Sequence, residues 1–242
     1  MAKLHRKDLK QDEVREKFAE AIRSVSLHGR EVLYIVLVVV AVALTAAAWF
    51  YYERRQQEQA QNLLSIAMEK YQASVSEAPP APGAPRTIYT YKTEPEKYSA
   101  AMKDFEEVIK KYGNTPAADM ARYQAGVCAF YLKDYKKAED YLQQSAKTSD
   151  RNILYYESRL ALANLYNLTN RPQQAVTVLN DAVEKNKSNV PADYLMLQLG
   201  ENYAAAGNVK AAKDTYQKIL NQYKDSPIGY QAQIKLNEMN RK

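Results

Sequence analysis

Groups able to do chemistry are few and scattered in this chain. Histidine occurs only at His5 and His28, and neither has a cysteine, a second histidine or a carboxylate cluster near it at metal-ligand spacing. Everything past residue 28 therefore lacks the side chain that most often moves a proton or activates a nucleophile at neutral pH. The one cysteine, Cys128, sits in the apolar run Ala125–Tyr131 and is expected to be a small buried hydrophobe. Standing alone, it excludes an intramolecular disulfide framework. Adjacent carboxylates occur at Glu106-Glu107 and Glu139-Asp140, but Lys110, Lys111, Lys136 and Lys137 stand beside them. That pattern describes a solvated helix face and not an acid–base dyad. No HExxH, CxxC, GxSxG or P-loop pattern is present. No catalytic residue, metal set or cofactor is expected, and an enzyme is not the reading the residues favour.

The elements around these residues are organised by one stretch. Val32–Tyr52 holds 21 residues without a charge, bracketed by Glu31 and Glu53. As a helix it spans about 30 Å, the thickness of a bilayer hydrocarbon core, so a single transmembrane helix is expected at 32–52. Lys3, Arg6, Lys7, Lys10, Arg15, Lys17, Arg23 and Arg30 precede it, whereas only Arg54 and Arg55 follow closely. The positive-inside rule then places the N-terminus in the cytoplasm and the large C-terminal part outside. Tyr34 near one end and Trp49, Phe50, Tyr51 and Tyr52 at the other occupy positions suited to the membrane interface, and Tyr34, Trp49, Tyr51 and Tyr52 are the expected anchor residues. Ala46-Ala47-Ala48 also satisfies a signal-peptide cleavage pattern. The long charged region before the span and the aromatics that continue it favour an uncleaved anchor.

Five segments follow from composition. Residues 1–31 place Leu9, Val14, Phe18, Ile22 and Val25 near helical spacing, an amphipathic cytoplasmic segment or a solvated tail. After the span, 53–77 lacks Gly and Pro, so the transmembrane helix is expected to run on into it, with Leu63, Leu64, Ala67, Met68 and Tyr71 as its apolar stripe. Residues 78–94 read as a Pro-rich loop with Ile88, Tyr89 and Tyr91 as anchors. Residues 95–242 form the remaining domain. The net charge of +6 is interspersed, which argues against a nucleic-acid partner.

An internal repeat runs through that last segment. Ala101, Ala138, Ala175 and Ala212 are each separated by 37 residues, with Phe105, Leu142, Leu179 and Tyr216 one turn later and Val108, Ser145, Ala182 and Ile219 after that. Gly126, Ala163 and Gly200 precede the last three alanines by 12 residues, followed by Ala129, Tyr166 and Tyr203. Polar turns lie between at Lys133-Asp134, Asn170-Arg171 and Gly207-Asn208. Thr115-Pro116 and Ser226-Pro227 each supply a capping hydroxyl followed by Pro at the first helical position. Each unit thus reads as two antiparallel helices meeting at small residues, and only stacking several units can bury their apolar faces. Gly200, Tyr203, Gly207, Ala212 and Tyr216, with Ala163, Tyr166, Ala175 and Ala182, resemble the tetratricopeptide repeat family. The period of 37 exceeds the family's roughly 34, no repeat carries its tryptophan, and Ser145 and Ile219 replace its last alanine. The resemblance implies an all-α fold: an N-terminal transmembrane helix, then a solenoid of about three to four helical hairpins and a capping helix at Tyr230–Asn240. The helix around Leu63–Tyr71 is expected to partner the first unit.

In such stacks the first helix of each pair lines the binding surface. That register nominates Tyr123, Val127, Phe130, Leu160, Asn164, Asn167, Tyr194, Leu197 and Glu201, with Met120 beside them, as a groove for extended polypeptide, where rings supply area and amides pair with peptide backbone. A carboxylate clamp is not supported, because Leu160 and no cation stands one turn before Asn164. Seventeen of the 20 tyrosines follow Tyr52 and are expected mostly in packing between repeats. The layout is similar to the family of the bacterial Sec translocon's ancillary subunit and its periplasmic repeat relatives. It implies a single-pass inner-membrane protein that binds protein partners on the periplasmic side, as scaffold or chaperone at the translocon or another inner-membrane complex. A structural accessory subunit is the alternative.

Overall fold

The computed structural model describes residues 29–76, 89–186 and 190–241. The expected amphipathic segment up to residue 28 and the Pro-rich stretch 78–88, with Ile88, lie outside the described residues. Among the described residues the order is α1 (Gly29–Tyr71), β1 (Ser74–Val75), β2 (Thr90–Tyr91), α2 (Glu94–Tyr112), α3 (Pro116–Tyr131), α4 (Tyr135–Ser145), α5 (Ile153–Leu168), α6 (Pro172–Glu184), α7 (Ala192–Ala205), α8 (Val209–Tyr223) and α9 (Pro227–Asn240). The chain divides into two compact units, residues 1–55 and 56–242.

Helix α1 begins at Gly29 and is 43 residues long, and its part up to Arg55 belongs to the first unit. Its most apolar window has a mean hydropathy of 2.6 and no buried residue, so it is long and apolar enough to cross a membrane. Leu33, Val36, Leu44, Trp49 and Phe50 are all exposed, a surface that water solvates poorly at about 25 cal/mol for each Å². The Thr45 hydroxyl, in the middle of the run, donates to the Val42 carbonyl at 2.9 Å, so it needs no outside partner.

In the second unit, Ala60, Leu64 and Ala67 of α1 share a core with Ala101, Phe105 and Val108 of α2, and Lys70 pairs with Asp104 at 2.5 Å. This end of α1 and α2 make the first hairpin. The helix stops at Tyr71 and not at 77: Gln72 and Ala73 donate back to Met68 and Lys70, and Ser74 and Val75 then pair in parallel with Thr90 and Tyr91. That short ladder, with the Ser76 amide donating to the Tyr91 carbonyl at 3.0 Å, supplies the backbone partners a longer helix would have needed. Three further hairpins follow, α3–α4, α5–α6 and α7–α8, and α9 caps the stack. The capping helix begins at Pro227, ahead of Tyr230, because Ser226 Oγ accepts from the Gly229 amide at 2.9 Å and Pro227 needs no N–H partner.

The repeat positions are where the core is densest. Ala101, Ala138, Ala175 and Ala212 are 0% exposed, and Phe105, Leu142, Leu179 and Tyr216 are at most 1% exposed. A Cβ added to Gly126 would lie 2.7 Å from Leu142 Cγ, and one on Gly200 would lie 2.5 Å from Tyr216 Cε1. In α3–α4 and α7–α8 the first helix therefore touches the second where it has no side chain, and in α5 the small Ala163 takes that place. Lys133, Asn170 and Gly207 occupy equivalent turns with φ of 62°, 59° and 78°. At each, the next residue's amide reaches back to the first helix's last turn: Asp134 to Ala129 at 2.9 Å, Arg171 to Tyr166 at 2.7 Å and Asn208 to Tyr203 at 2.9 Å. This left-handed closure satisfies the carbonyls at the first helix's end and reverses the chain. First helices of successive hairpins (α3, α5, α7, α9) lie against one another, while the second helices stay further apart.

Gly200→Ala should lower the thermal midpoint of the full chain in detergent, by about 1–3 kcal/mol of stability, because the buried Tyr216 ring has nowhere to move. An unchanged midpoint would mean the two helices are not held at this distance. Lys133→Gly should instead raise it by about 0.5 kcal/mol, the relief of left-handed strain less the added freedom of the unfolded chain.

Candidate protein-binding face

The first helices present one continuous strip, and α5 is its middle member. Its partner α6 holds it through a polar cluster: the Arg159 guanidinium donates to Asp181 at 2.8 and 3.1 Å and to the Ala146 carbonyl at 2.8 Å, and Tyr155 Oη donates to Asp181 at 2.6 Å. Lys185 closes the cluster at 2.5 Å. Burial raises the Asp181 pKa, but the hydrogen bonds from Lys185, Tyr155 and Arg159 outweigh it and pull the carboxyl down to about 2. The fully buried Ser158 and Ser145 hydroxyls meet at 2.8 Å. Tyrosines stitch one hairpin to the next: Gln143 donates to Tyr166 Oη at 3.2 Å, and 37 residues on Asn180 donates to Tyr203 Oη at 2.8 Å.

Between α3 and α5 the strip opens into a hollow of about 130 Å³ lined by Val127, Phe130, Tyr131, Leu142, Ala161 and Asn164. Three of the residues nominated from sequence, Val127, Phe130 and Asn164, are thus brought together. Tyr123 and Leu160 are half-buried beside them, packed against the core of this hairpin. Burial first, and the Glu157 carboxylate second, push the Tyr123 phenol up to about 12, so its hydroxyl stays protonated and able to donate. Tyr131 stacks on Tyr98 with centroids 4.5 Å apart, and Phe130 meets Tyr131 and Tyr135 edge-on at 6.0 and 6.1 Å. An aromatic wall therefore borders the hollow.

The remaining nominated residues lie elsewhere. Asn167 donates to Asn202 at 2.7 Å, and Asn202 donates on to the Gln198 carbonyl at 2.7 Å, an amide bridge that joins α5 to α7. Tyr194 is 39% exposed. Leu197 is a correction: at 3% exposed it belongs to the core with Tyr216, Ile219 and Ala232, because the capping helix covers it. Glu201 is half-buried and pairs with Lys235 of α9 at 3.2 Å, lining a second hollow of about 260 Å³ with Ala204, Tyr216, Glu238 and Met239. Sequence reasoning missed Tyr131, Ala161, Lys235 and Glu238. Tyr131 stands one turn beyond Val127, and extending the register to the last turn of α3 would have found it. Cys128 is fully buried, and burial pushes its thiol up to about 12, which makes it unreactive. No group of three metal-ligating side chains occurs among the described residues.

Residues 26–241 match the tetratricopeptide repeat-like domain, most of the chain, and the protein belongs to that family. A TPR repeat-containing protein of Methanocaldococcus jannaschii is 28% identical over 126 residues, which is 52% of this chain and 20% of that protein. The chain thus spans about a fifth of that relative's length. Among solved structures, the TPR-like repeats of a Podosopora anserina putative kinesin light chain superpose with a TM-score of 0.55 at 15% identity, covering 76% of this chain and 87% of that one. A singly substituted form of the same repeats gives 0.54 at 14% identity over 77% and 87%. These likenesses define the solenoid fold, one that in this family brings proteins together.

Asp181 also generates a pH prediction. Its depressed carboxyl contributes stability that is complete above its ordinary value near pH 4 and is lost as pH falls through about 2. The thermal midpoint should therefore fall between about pH 4 and pH 2, and more steeply in the parent chain than in Asp181→Asn. Parallel curves would remove the cluster's role.

Proposed function

We propose that this chain is a membrane-anchored protein-interaction scaffold, with α1 as a single-pass anchor in a bacterial inner membrane and the repeats on the periplasmic side. The N-terminus is then cytoplasmic, as the basic residues before the span require by the positive-inside rule. The observation that carries the interaction role is the hollow formed by Val127, Phe130, Tyr131, Ala161 and Asn164, where one exposed amide stands beside apolar and aromatic walls. Such a surface suits an extended polypeptide, whose side chains need area and whose backbone needs hydrogen-bond partners. Anchoring favours partners that are themselves at the membrane, since tethering raises effective concentration. The protein translocon or another envelope-assembly complex is the partner this reading nominates.

Two measurements test it. The full-length chain should stay with membranes through an alkaline wash, and Val40→Arg with Leu44→Arg should release it, each charge costing about 2.5–3.5 kcal/mol at mid-bilayer. Recovery of the parent chain in the wash would remove the anchor. In a gentle-detergent pull-down, membrane or exported proteins should copurify and Ala161→Glu should reduce their recovery. Recovery unaffected by Ala161→Glu would remove the groove.

A further inference from the structure

The two hollows on the first-helix face are the same structural position at different repeats. Val127 and Glu201, Phe130 and Ala204, Leu142 and Tyr216, Ala161 and Lys235, and Asn164 and Glu238 are each separated by 74 residues, two full periods. Their chemistry has diverged. The first notch, between α3 and α5, is apolar with a single amide. The equivalent notch between α7 and α9 holds two carboxylates, Glu201 and Glu238, against one ammonium, Lys235. The position between them is closed by the Asn167–Asn202 bridge and by Gln198 donating to Glu201 at 3.2 Å.

The two notches differ in the charge of their linings. Helices α3, α5 and α7 contain no lysine. Their two arginines are engaged: Arg122 with Asp119 at 2.8 Å and the Gly113 carbonyl at 2.6 Å, Arg159 with Asp181 and Ala146. Glu157, one turn before Ala161, stands beside Tyr123 at the α3–α5 end but does not line the notch there, whereas Glu201 and Glu238 line theirs. A ligand lying along these helices therefore meets apolar surface at one end and net negative charge at the other.

We infer that the face selects an extended protein segment with an apolar or aromatic side chain in the α3–α5 notch and a lysine or arginine at the α7–α9 notch. Helix axes at about 8–10 Å place the notches two steps, about 18 Å, apart. An extended chain covers that in about five or six residues. The segment is then apolar, a spacer of that length, and basic. The inference rests on the groove reading above and narrows it to one class of partner sequence. Acidic segments are disfavoured by the same carboxylates that hold the basic ones.

The test uses the full-length chain in detergent and fluorescent peptides of about twelve residues carrying one tryptophan and, six positions on, either lysine or glutamate. By anisotropy the lysine peptide should bind about tenfold more tightly, an advantage that shrinks as salt is raised. Glu201→Gln with Glu238→Gln should bring the two peptides to equal affinity, and Glu238→Gln alone, at an exposed site, should move part of the way. Ala161→Glu should weaken both peptides by at least tenfold. Equal binding of the two peptides by the parent chain, still lost in Ala161→Glu, would overturn the charge preference and leave the groove standing. Binding of both that ignores Ala161→Glu would overturn the groove reading itself.

Discussion

Everything in the repeat unit hangs on the distance between two helices at a small residue, glycine in two of the hairpins and Ala163 in the one between them. Gly126 faces Leu142 and Gly200 faces Tyr216, and in each case a methyl group would occupy space already filled by a buried side chain. Interiors packed like molecular crystals have no slack to absorb such an addition. The close contact sets each hairpin's register, and the hairpin's register decides which side of its first helix meets the next first helix. The candidate binding strip is the part of that surface the stack leaves uncovered.

The turns answer to the same constraint. Lys133 and Asn170 take up the left-handed conformation that Gly207 adopts without cost, and all three close with the same backbone hydrogen bond. A lysine in that conformation shows tertiary packing overriding local preference: the helices on either side are held so closely that the chain has one way to connect them. The notch positions carry no such burden. Because Val127 and Glu201, or Ala161 and Lys235, line the surface and do not build the contact, they diverge between repeats while the core alanines do not.

Helix α1 carries two surface patterns along its length. Its first part exposes Leu33 to Tyr52 on every side, and its last part buries Ala60, Leu64 and Ala67 on one stripe. Continuous apolar sequence suits a medium that solvates every face alike, and an intermittent stripe suits a partner on one side only. The change from one pattern to the other within a single helix is readable from residue types alone.

Much of the fold was legible for that reason. The 37-residue period, the buried alanines at 101, 138, 175 and 212, the glycines at 126 and 200, the polar turns and the capping at Thr115 and Ser226 are local or periodic signals, and each has the role its spacing implies. The site was legible in part: Val127, Phe130 and Asn164 meet as their shared register requires. What residue spacing could not determine was burial that depends on a second helix. Leu197 occupies the same register as Tyr123 and Leu160, yet α9 covers it, and Asn167 turns from a ligand-facing amide into a bridge because Asn202 lies across from it. The end of α1 at Tyr71 depends on Thr90 and Tyr91 pairing with Ser74 and Val75 across an intervening stretch of chain. Periodicity is a property of one helix and is written in its sequence; which face of that helix stays open is a property of its neighbours, and only the folded stack decides it.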